Sequence, residues 1–346
     1  MDERNLVLEA IGLTADTHPH PNPRVGCLVV ADGAIVGHGV HLRPGEPHAE
    51  ILALAEAGEA ARGATLVVTL EPCDHTGRTP PCTDAIVNAG VERVVVGIGD
   101  PDERVSGRGI ERLRRAGIEV VTDVAPQAAE AADPGYFHHR RTGRPLVTVK
   151  LAMTLDGQVA AADGTSQWIT SEAARRDVHG LRARSDAVMV GAGTLLADDP
   201  RLTVRLEGRS HRQPRPIVVA GRRPLPPERA LWSRDPLVYT PEPRDLPGEV
   251  VVCGDGERVD LPGMIGDLGK RGIVDLLVEG GAGLAGALWR AGSVDRLVTY
   301  VGGVVGGGVG LPAFGGVFTT IRDATSVEIT GVTRLGPDVR IDAEVV

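Results

Sequence analysis

A histidine, a glutamate and two cysteines in the first quarter of the sequence have the residue types and the spacing of a catalytic zinc site. His48 and Glu50 open a predicted helix over 48–61, Cys73 follows the next predicted strand, and Cys82 comes nine residues after Cys73. Imidazole and thiolate are ligands that zinc favours, and three protein ligands leave a fourth position for water. Glu50 can then accept a proton from this water and return it to a leaving amine.

The elements predicted around these residues can bring them to one ion. His48 and Glu50 are two positions apart and would face different directions in mid-helix, whereas at a helix N-terminus both can point past the end of the axis. Cys82 lies at the start of a helix predicted over 81–89, where free N–H groups and the helix dipole favour a thiolate. A histidine and glutamate separated by one residue, followed by Pro-Cys and a second cysteine, are typical of zinc nucleobase deaminases. We therefore predict one Zn2+ per chain held by His48, Cys73 and Cys82, with Glu50 as the catalytic residue.

The alternative is a structural zinc site with four protein ligands, for which Cys27 is the best additional candidate. Cys27 lies in the apolar run 25–30, where a buried and inert thiol is the commoner case. On these features the catalytic interpretation is the favoured one.

The eight residues between Cys73 and Cys82 exceed the two of the usual C-x-x-C pattern. This insert contains His75, Arg78 and two threonine hydroxyl groups. A cation and an imidazole can recognise a substrate phosphate, so His75 and Arg78 are candidate substrate-binding residues. The alternative is that the insert is simply a longer surface loop.

Composition excludes several other classes of function. The chain has 346 residues, a formal net charge of −9 and only 3% aromatic residues. A nucleic-acid binder needs a basic track and stacking aromatics, so a nucleic-acid partner is not expected. No apolar run approaches 18 residues, the N-terminus has no secretory apolar region, and four cysteines are too few for a disulfide scaffold. We therefore expect a cytoplasmic protein without a membrane partner.

The sequence pattern predicts two α/β domains, 1–142 and 143–346. Predicted strands and helices alternate through the first 125 residues, which indicates a sheet with helices on both faces. The segment 133–145 is basic and rich in turn formers, and we predict a linker around 141–144. The alternation then restarts, and two antiparallel strands are predicted to close the chain at 326–332 and 339–345.

Four segments of the first domain together resemble the bifunctional riboflavin-biosynthesis deaminase/reductase family. They are P-N-P-R-V-G-C at 21–27, P-H-A-E at 47–50, T-L-E-P-C at 69–73 and H-T-G-R-T-P-P-C at 75–82. The long insert between the cysteines is that family's own pattern. The resemblance implies that Asn22 contacts the pyrimidine. It also implies an N-terminal cytidine-deaminase-like three-layer α/β/α domain followed by a C-terminal dihydrofolate-reductase-like α/β domain.

The second half is similar to the reductase domain of the same family. The matching segments are T-V-K-L-A-M-T-L-D-G at 148–157, G-T-S-Q-W-I-T at 164–170 and G-T-L-L-A-D-D-P at 193–200. The resemblance implies that the phosphoribosyl substrate is bound by Ser166, Arg182, Leu202 and Arg205. It implies that NADPH is bound by Ala152, Trp168, Thr194 and Asp198. Guanidinium groups independently suit the bidentate binding of phosphate.

A glycine-rich motif between a predicted strand and a predicted helix gives a further cofactor candidate. The motif has the pattern G-x-G-x-x-G, and together with the residue that follows it the candidates are Gly281, Ala282, Gly283, Leu284, Ala285, Gly286 and Ala287. The motif lacks the acidic residue about 20 positions later that a Rossmann site requires, but a helix N-terminus can still bind pyrophosphate. The resemblance implies that this motif and Glu279 flank the cofactor and the substrate. Arg222 and Arg223, after a predicted strand, are candidates for the 2′-phosphate of NADPH.

The resemblance implies two consecutive reactions on one phosphorylated pyrimidine, namely hydrolytic deamination and NADPH-dependent reduction of the ribosyl side chain to ribityl. Lys150 and Asp156 are the candidates for a proton donor in the reduction. The family's acid near position 220 and its lysine near position 304 are absent, which leaves open a second domain that is not catalytic. A nucleic-acid-editing deaminase is the other alternative, although it would leave 200 residues unexplained. A homodimer or tetramer is also implied.

Overall fold

The computed structural model describes residues 2–76, 80–207, 212–316 and 319–346, and the chain divides into two compact units, Met1–Gly143 and Arg144–Val346. The helices of the first unit are α1 (Glu3–Leu13), α2 (Ala49–Ala57), α3 (Cys82–Ala89), α4 (Arg108–Arg115), α5 (Pro126–Ala132) and α6 (Pro134–Thr142). Its strands are β1 (Gly26–Ala31), β2 (Ala34–Val40), β3 (Thr65–Leu70), β4 (Arg93–Ile98) and β5 (Glu119–Val121). They form one sheet in the order β2-β1-β3-β4-β5, in which β3, β4 and β5 run parallel and β1 is antiparallel to both of its neighbours.

Helices cover both faces of this sheet, as the alternating pattern predicts. On one face α1 and α5 pack over the apolar side chains of Leu28, Val67 and Val95. On the other face α2 packs directly on β2, because a Cβ atom at Gly39 would lie only 1.9 Å from the carbonyl oxygen of Ala49. Glycine at this position therefore lets the first turn of α2 rest against the sheet.

Most of the segment 133–145, which the sequence pattern describes as rich in turn formers, is helical. Pro134 is the first residue of α6, and the helix ends at Gly143, which adopts the left-handed conformation with φ 74°. Proline suits the first helical position because the N–H group it lacks would have no partner there, and glycine suits the position after the last turn. Breaker residues at 133–145 therefore mark the two ends of a helix, so turns through most of this segment were wrongly expected. The linker predicted around 141–144 does coincide with the boundary between the two units, which lies between Gly143 and Arg144. The helix predicted over 48–61 is likewise shorter, because Gly58 has a positive φ of 54° and a 3-10 turn, Gly58–Ala61, follows α2.

The second unit is built on a nine-stranded sheet in the order β11-β10-β9-β8-β12-β6-β13-β16-β15. Its strands are β6 (Leu146–Met153), β7 (Gln158–Ala160), β8 (Ala187–Gly191), β9 (Arg215–Val219), β10 (Leu237–Thr240), β11 (Glu249–Val252), β12 (Asp275–Val278), β13 (Arg296–Val301), β14 (Leu311–Pro312), β15 (Val327–Leu335) and β16 (Asp338–Val345). Its helices are α7 (Glu172–Arg184), α8 (Ala192–Asp198), α9 (Leu261–Lys270) and α10 (Ala282–Arg290). The first seven strands in this order, from β11 across to β13, run parallel to one another. The last two, β16 and β15, are antiparallel to their neighbours and close the sheet, as predicted.

Apolar residues of α7 and α8 cover one face of the large sheet, and those of α9 and α10 cover the other. Strands β7 and β14 form a separate two-stranded antiparallel sheet. No helix in the described ranges is both long and apolar enough to cross a membrane.

Candidate functional site

The first turn of α2 carries two of the predicted zinc-site residues. His48 caps the helix with an extended backbone, and the helix begins at Ala49. Glu50 lies in the first turn, and its side chain is buried, at 3% exposure for the residue. Burial raises the pKa of the Glu50 carboxyl, as does the nearby Cys73. A raised pKa suits a group that must accept and release a proton near neutrality.

The two cysteines approach His48 from different elements. Cys73 lies three residues after the end of β3, and Cys82 is the first residue of α3. The Nδ1 atom of His48 lies 3.2 Å from the Sγ atom of Cys82 and 3.7 Å from the Sγ atom of Cys73. The backbone N–H of Cys82 donates to the Cys73 sulfur at 3.5 Å. One nitrogen and two sulfurs thus lie within 4.8 Å of one another.

This donor set fits zinc in both geometry and charge. Tetrahedral bonds of about 2.3 Å to sulfur and 2.0 Å to nitrogen place ligand atoms roughly 3.5–3.8 Å apart, close to the distances found here. Hydrogen bonds from Cys82 and His48 lower the pKa of the Cys73 thiol to about 4, whereas the neighbouring Cys73 raises the pKa of Cys82. Two thiolates side by side require a cation, and a dication bound among the three atoms removes the conflict.

Cys27 does not join this group. It lies on β1, is completely buried, and its sulfur contacts the carbonyl oxygen of the adjacent Leu28 at 3.9 Å. Burial raises the pKa of the Cys27 thiol well above its usual range. The four-ligand alternative therefore gains no support from Cys27, and the three-ligand arrangement keeps a free coordination position.

Glu71, which sequence reasoning did not single out, anchors the segment that carries Cys73. Its carboxylate accepts hydrogen bonds from four backbone N–H groups at 2.9 to 3.4 Å, those of Asp100, Gly107, Gly109 and Ile110. Two of these donors are in the first turn of α4, where the helix dipole favours an anion. An acid directly before Pro-Cys was a visible signal, but its partners are about 30 to 40 residues away in the chain.

His41, which sequence reasoning missed, lies between Asn22 and the segment that precedes His48 and contacts both. The Nδ2 atom of Asn22 lies 3.0 Å from Nε2 of His41, whose Nδ1 lies 3.1 Å from the carbonyl oxygen of Pro47. The rings of His41 and His48 meet edge to face with centroids 5.1 Å apart. Burial lowers the pKa of His41.

Of the two candidates in the insert, only His75 belongs to the described residues. His75 is partly buried, and its Nδ1 atom is buried without a hydrogen-bond partner among the residues described. An orphaned ring nitrogen suits a ligand contact. Arg78 lies outside the described residues.

The second unit contains a cavity of about 1850 Å3 at the carboxyl ends of its parallel strands. This is where open α/β sheets bind their ligands. The cavity is lined by most of the residues predicted to bind substrate or cofactor, namely Ala152, Ser166, Trp168, Arg182, Thr194, Asp198, Leu202, Arg205, Arg222, Arg223, Glu279, Gly281, Ala282, Gly283, Leu284 and Ala287.

Two residues of the glycine-rich motif lie elsewhere. Ala285 belongs to the apolar core, and Gly286 packs against the backbone of Gly315, where a Cβ atom would lie 2.2 Å from the carbonyl oxygen. Both are thus packing residues of α10 rather than lining residues of the cavity. The start of the motif does face the cavity, and the N–H group of Gly281 donates to Oγ1 of Thr194 at 2.9 Å.

The structure separates the two candidates for a proton donor. Lys150 lines the cavity, and burial lowers the pKa of its ammonium group although Glu279 is nearby. Asp156 is not among the lining residues, and its carboxylate accepts hydrogen bonds from Thr154, Gly306 and Gly307. These bonds lower the pKa of Asp156 to about 2, so it is a poor acid near neutrality.

A His-Cys-Cys group beside a buried glutamate, followed by a parallel sheet with a cavity large enough for a dinucleotide, defines a two-domain deaminase and reductase. Comparison with known proteins agrees in both halves. Residues 1–98 match the cytidine and deoxycytidylate deaminase zinc-binding region, and residues 145–341 match the RibD C-terminal domain.

Relatives match along nearly the whole chain. The riboflavin biosynthesis protein RibD of Escherichia coli K12 is 43% identical over 92% of both chains, and that of Mycobacterium tuberculosis H37Rv is 41% identical over 92% of this chain and 90% of its own. The solved structure of Acinetobacter baumannii RibD has a TM-score of 0.93 at 35% identity, covering 100% of this chain and 99% of its own. A Thermotoga maritima diaminohydroxyphosphoribosylaminopyrimidine deaminase/5-amino-6-(5-phosphoribosylamino)uracil reductase has a TM-score of 0.91 at 32% identity over 99% of each chain.

The chain therefore belongs to the RibD family of riboflavin-biosynthesis proteins. It is a bifunctional enzyme with a zinc-dependent deaminase domain and an NADPH-dependent reductase domain, and the predicted cytidine-deaminase-like and dihydrofolate-reductase-like folds are confirmed. The family match across 145–341 argues against a second half that is not catalytic. The match of both halves to this family likewise favours riboflavin biosynthesis over a nucleic-acid-editing deaminase.

Proposed function

We propose that this enzyme carries out two consecutive steps on one phosphorylated pyrimidine. The first unit hydrolyses the 2-amino group of 2,5-diamino-6-ribosylamino-4(3H)-pyrimidinone 5′-phosphate, and the second reduces the ribosyl side chain of the product to ribityl. The observation that carries this proposal is the close group of His48, Cys73 and Cys82 with the buried Glu50 beside it.

In the deaminase unit, His48, Cys73 and Cys82 would hold zinc. Zinc supplies the Lewis acidity that makes water a nucleophile near neutral pH. Glu50 accepts the proton of the attacking water and donates it to the 2-amino group, which leaves as ammonia. Asn22 binds the pyrimidine, while His75 and Arg78 bind the more distal part of the substrate, where the phosphate lies.

In the reductase unit, the cavity holds NADPH next to the substrate. NADPH supplies the hydride, and orientation of the two reactants is the main task of the protein. Ala152, Trp168, Thr194, Asp198 and the start of the glycine-rich motif form the cofactor side. Ser166, Leu202 and Arg205 form the substrate side, and Arg182 and Glu279 line the cavity beside them as an ion pair. Lys150 is the proton donor, because it alone of the two candidates lines the cavity.

Of the two arginines proposed for the 2′-phosphate, the surroundings favour Arg223. Arg222 makes ion pairs with Glu242 at 3.4 Å and Glu257 at 3.8 Å. Arg223 has no carboxylate at ion-pair distance among the residues described, and it packs over Gly193 at the edge of the cavity. A guanidinium that is not already paired with a carboxylate is available to pair with a phosphate.

The enzyme acts as a homo-oligomer, a dimer or a tetramer, in the cytoplasm. Support for assembly comes from β15, one of the two edge strands of the large sheet, which exposes Val327, Ile329 and Val332 at 38%, 61% and 67%. An exposed apolar outer strand suits pairing with a second copy. All four cysteines are free, which suits a reducing compartment. Light scattering with Ile329→Lys should show a smaller assembly than the wild type.

Glu50→Gln tests the deaminase step. Ammonia release from the pyrimidine phosphate should fall at least a thousandfold, while the zinc content stays at one per chain. Glu56→Gln is the matched control, because Glu56 is exposed on the same helix. Wild-type ammonia release by Glu50→Gln would contradict the role. NADPH oxidation with the deaminated intermediate tests the second step, and its absence would contradict that half of the proposal.

A further inference from the structure

The ring of His41 is held at both nitrogens. Nδ1 lies 3.1 Å from the carbonyl oxygen of Pro47, and Nε2 lies 3.0 Å from the amide nitrogen of Asn22. Its backbone N–H donates to the carbonyl oxygen of Val25 at 3.0 Å, and the residue is 2% exposed. His41 therefore joins the segment that precedes the predicted ligand His48 to the predicted pyrimidine-binding residue.

The direction of these hydrogen bonds follows from the Pro47 carbonyl, which can only accept. Nδ1 of His41 must therefore carry a proton, and Nε2 of a neutral ring then offers only a lone pair. No carboxylate of the described residues lies at hydrogen-bond distance from either ring nitrogen, and the burial of the residue disfavours a second proton, because it would give the ring a charge. The group of Asn22 that faces a lone pair on His41 must be its amide N–H. The observed contact agrees, since Nδ2 of Asn22 lies 3.0 Å from Nε2 of His41.

The other end of the Asn22 amide is thereby turned away from His41. Asn22 is only partly buried, and no donor of the described residues reaches its Oδ1. We propose that His41 is a positioning residue that fixes the polarity of the Asn22 amide, so that the deaminase site presents a hydrogen-bond acceptor to the pyrimidine. The site then selects a substrate with a ring N–H or amino donor at this position and disfavours one with a bare acceptor. This inference rests on the proposed function, which supplies an amino-substituted pyrimidine.

Two conservative variants separate this role from simple support of the Pro47 carbonyl. His41→Asn keeps a donor near the position of Nδ1 but cannot reach Asn22, whereas His41→Gln places an acceptor near the position of Nε2. His41→Asn should raise the KM of ammonia release at least tenfold with kcat within threefold, and His41→Gln should keep KM within threefold of the wild type. His38→Asn on β2 is the matched control, because His38 has an exposed side chain.

The same substitution in an Asn22→Ala background shows whether His41 acts through Asn22. If it does, His41→Asn changes KM less than twofold there. An equal rise of KM in both backgrounds, or an unchanged KM in His41→Asn alone, would overturn the proposal. A wild-type enzyme that releases no ammonia from this substrate would instead contradict the proposed function.

A measurement that needs no turnover tests the proposal independently. Nitrogen NMR of histidine-labelled wild-type enzyme, with the His41 signal identified by its loss in His41→Asn, should show a neutral ring protonated at Nδ1. A ring protonated at Nε2, or at both nitrogens, would overturn the assigned polarity even if the substrate were different.

Discussion

Arg182 and Glu279 face each other in a two-point ion pair, with Nε to Oε1 at 2.5 Å and Nη2 to Oε2 at 2.8 Å. The side chains are only 13% and 9% exposed, and the remaining Nη1 donates to the carbonyl oxygen of Thr203 at 3.0 Å. The guanidinium is thus largely committed to the protein. Arg205 lines the same cavity and is exposed, and among the described residues its guanidinium contacts only Thr203, at 3.4 Å, so it is the better placed cation for a phosphate.

Replacing the two arginines should therefore have different effects. Arg182→Ala leaves Glu279 buried without its partner and should lower the free energy of unfolding by about 3–5 kcal/mol, measured by urea denaturation. Arg205→Ala should leave stability within about 0.5 kcal/mol and raise the KM of the phosphorylated reductase substrate at least tenfold. Arg184→Ala, at an exposed position of α7, is the control. Wild-type stability of Arg182→Ala with a raised KM would mean that its guanidinium serves the substrate instead.

Glu71 should matter for both stability and zinc retention. Glu71→Ala removes the acceptor of four backbone N–H groups and should lower the free energy of unfolding by about 2–4 kcal/mol. It should also speed the loss of zinc to a chelator at least tenfold, because the segment before Cys73 loses its anchor. Glu111→Ala, exposed on α4, is the matched control. Zinc loss at the wild-type rate in a destabilised Glu71→Ala would restrict Glu71 to a role in folding.

The two candidate arginines for the 2′-phosphate should separate in cofactor preference. Arg223→Ala should lower the preference for NADPH over NADH at least tenfold, measured as the ratio of kcat/KM values, because a phosphate loses its charge partner. Arg222→Ala should change that ratio less than threefold, since Glu242 and Glu257 already pair with this guanidinium. An unchanged ratio in the double variant would remove both residues from cofactor recognition.

Asp100 should give the stability an unusual dependence on pH. Burial raises the pKa of its carboxyl to about 6, although Asp102 and Tyr136 donate hydrogen bonds to it. The folded state therefore binds this proton more tightly than the unfolded state, and the resulting stabilisation is lost as pH rises from about 4 through 6. The loss should be on the order of 2–3 kcal/mol.

Asp100→Asn cannot ionise, so its stability relative to wild type should increase by that amount between pH 4 and pH 8 in urea denaturation. Asp84→Asn, which replaces a half-exposed carboxylate on α3, is the control. A constant difference between Asp100→Asn and wild type across this range would show that Asp100 is not the titrating group.

Much of the local structure around the sites is predictable from the sequence. The helix that His48 opens, the helix that Cys82 opens and the strand Arg296–Val301 all lie where the pattern places them. Their signals are local, because apolar periodicity and capping residues act within one or two turns. The same local signals led to the wrong expectation of turns through most of 133–145. Proline and glycine interrupt a helix in its interior, but they suit its two ends.

Pairing between distant side chains was not predictable. Arg182 and Glu279 are 97 residues apart, and each alone reads as a substrate-binding residue. Glu71 finds its donors in a loop and helix that follow the next strand, and His41 shows no partner in the sequence. A charged or polar side chain has no intrinsic preference for one partner over another until the fold brings groups together and removes water from them.

The sequence by itself determined the chemistry of this protein, because the ligand types of a zinc site and the motif spacing that presents them at helix starts are local properties. Only the tertiary structure decided which of the candidate residues are free to act. It commits Arg182 to Glu279, pairs Arg222 with two glutamates, places Ala285 in the core and sets the direction of the Asn22 amide. The physical reason is that hydrogen-bond satisfaction and charge neutralisation depend on burial and distance, which strand order and helix packing alone establish.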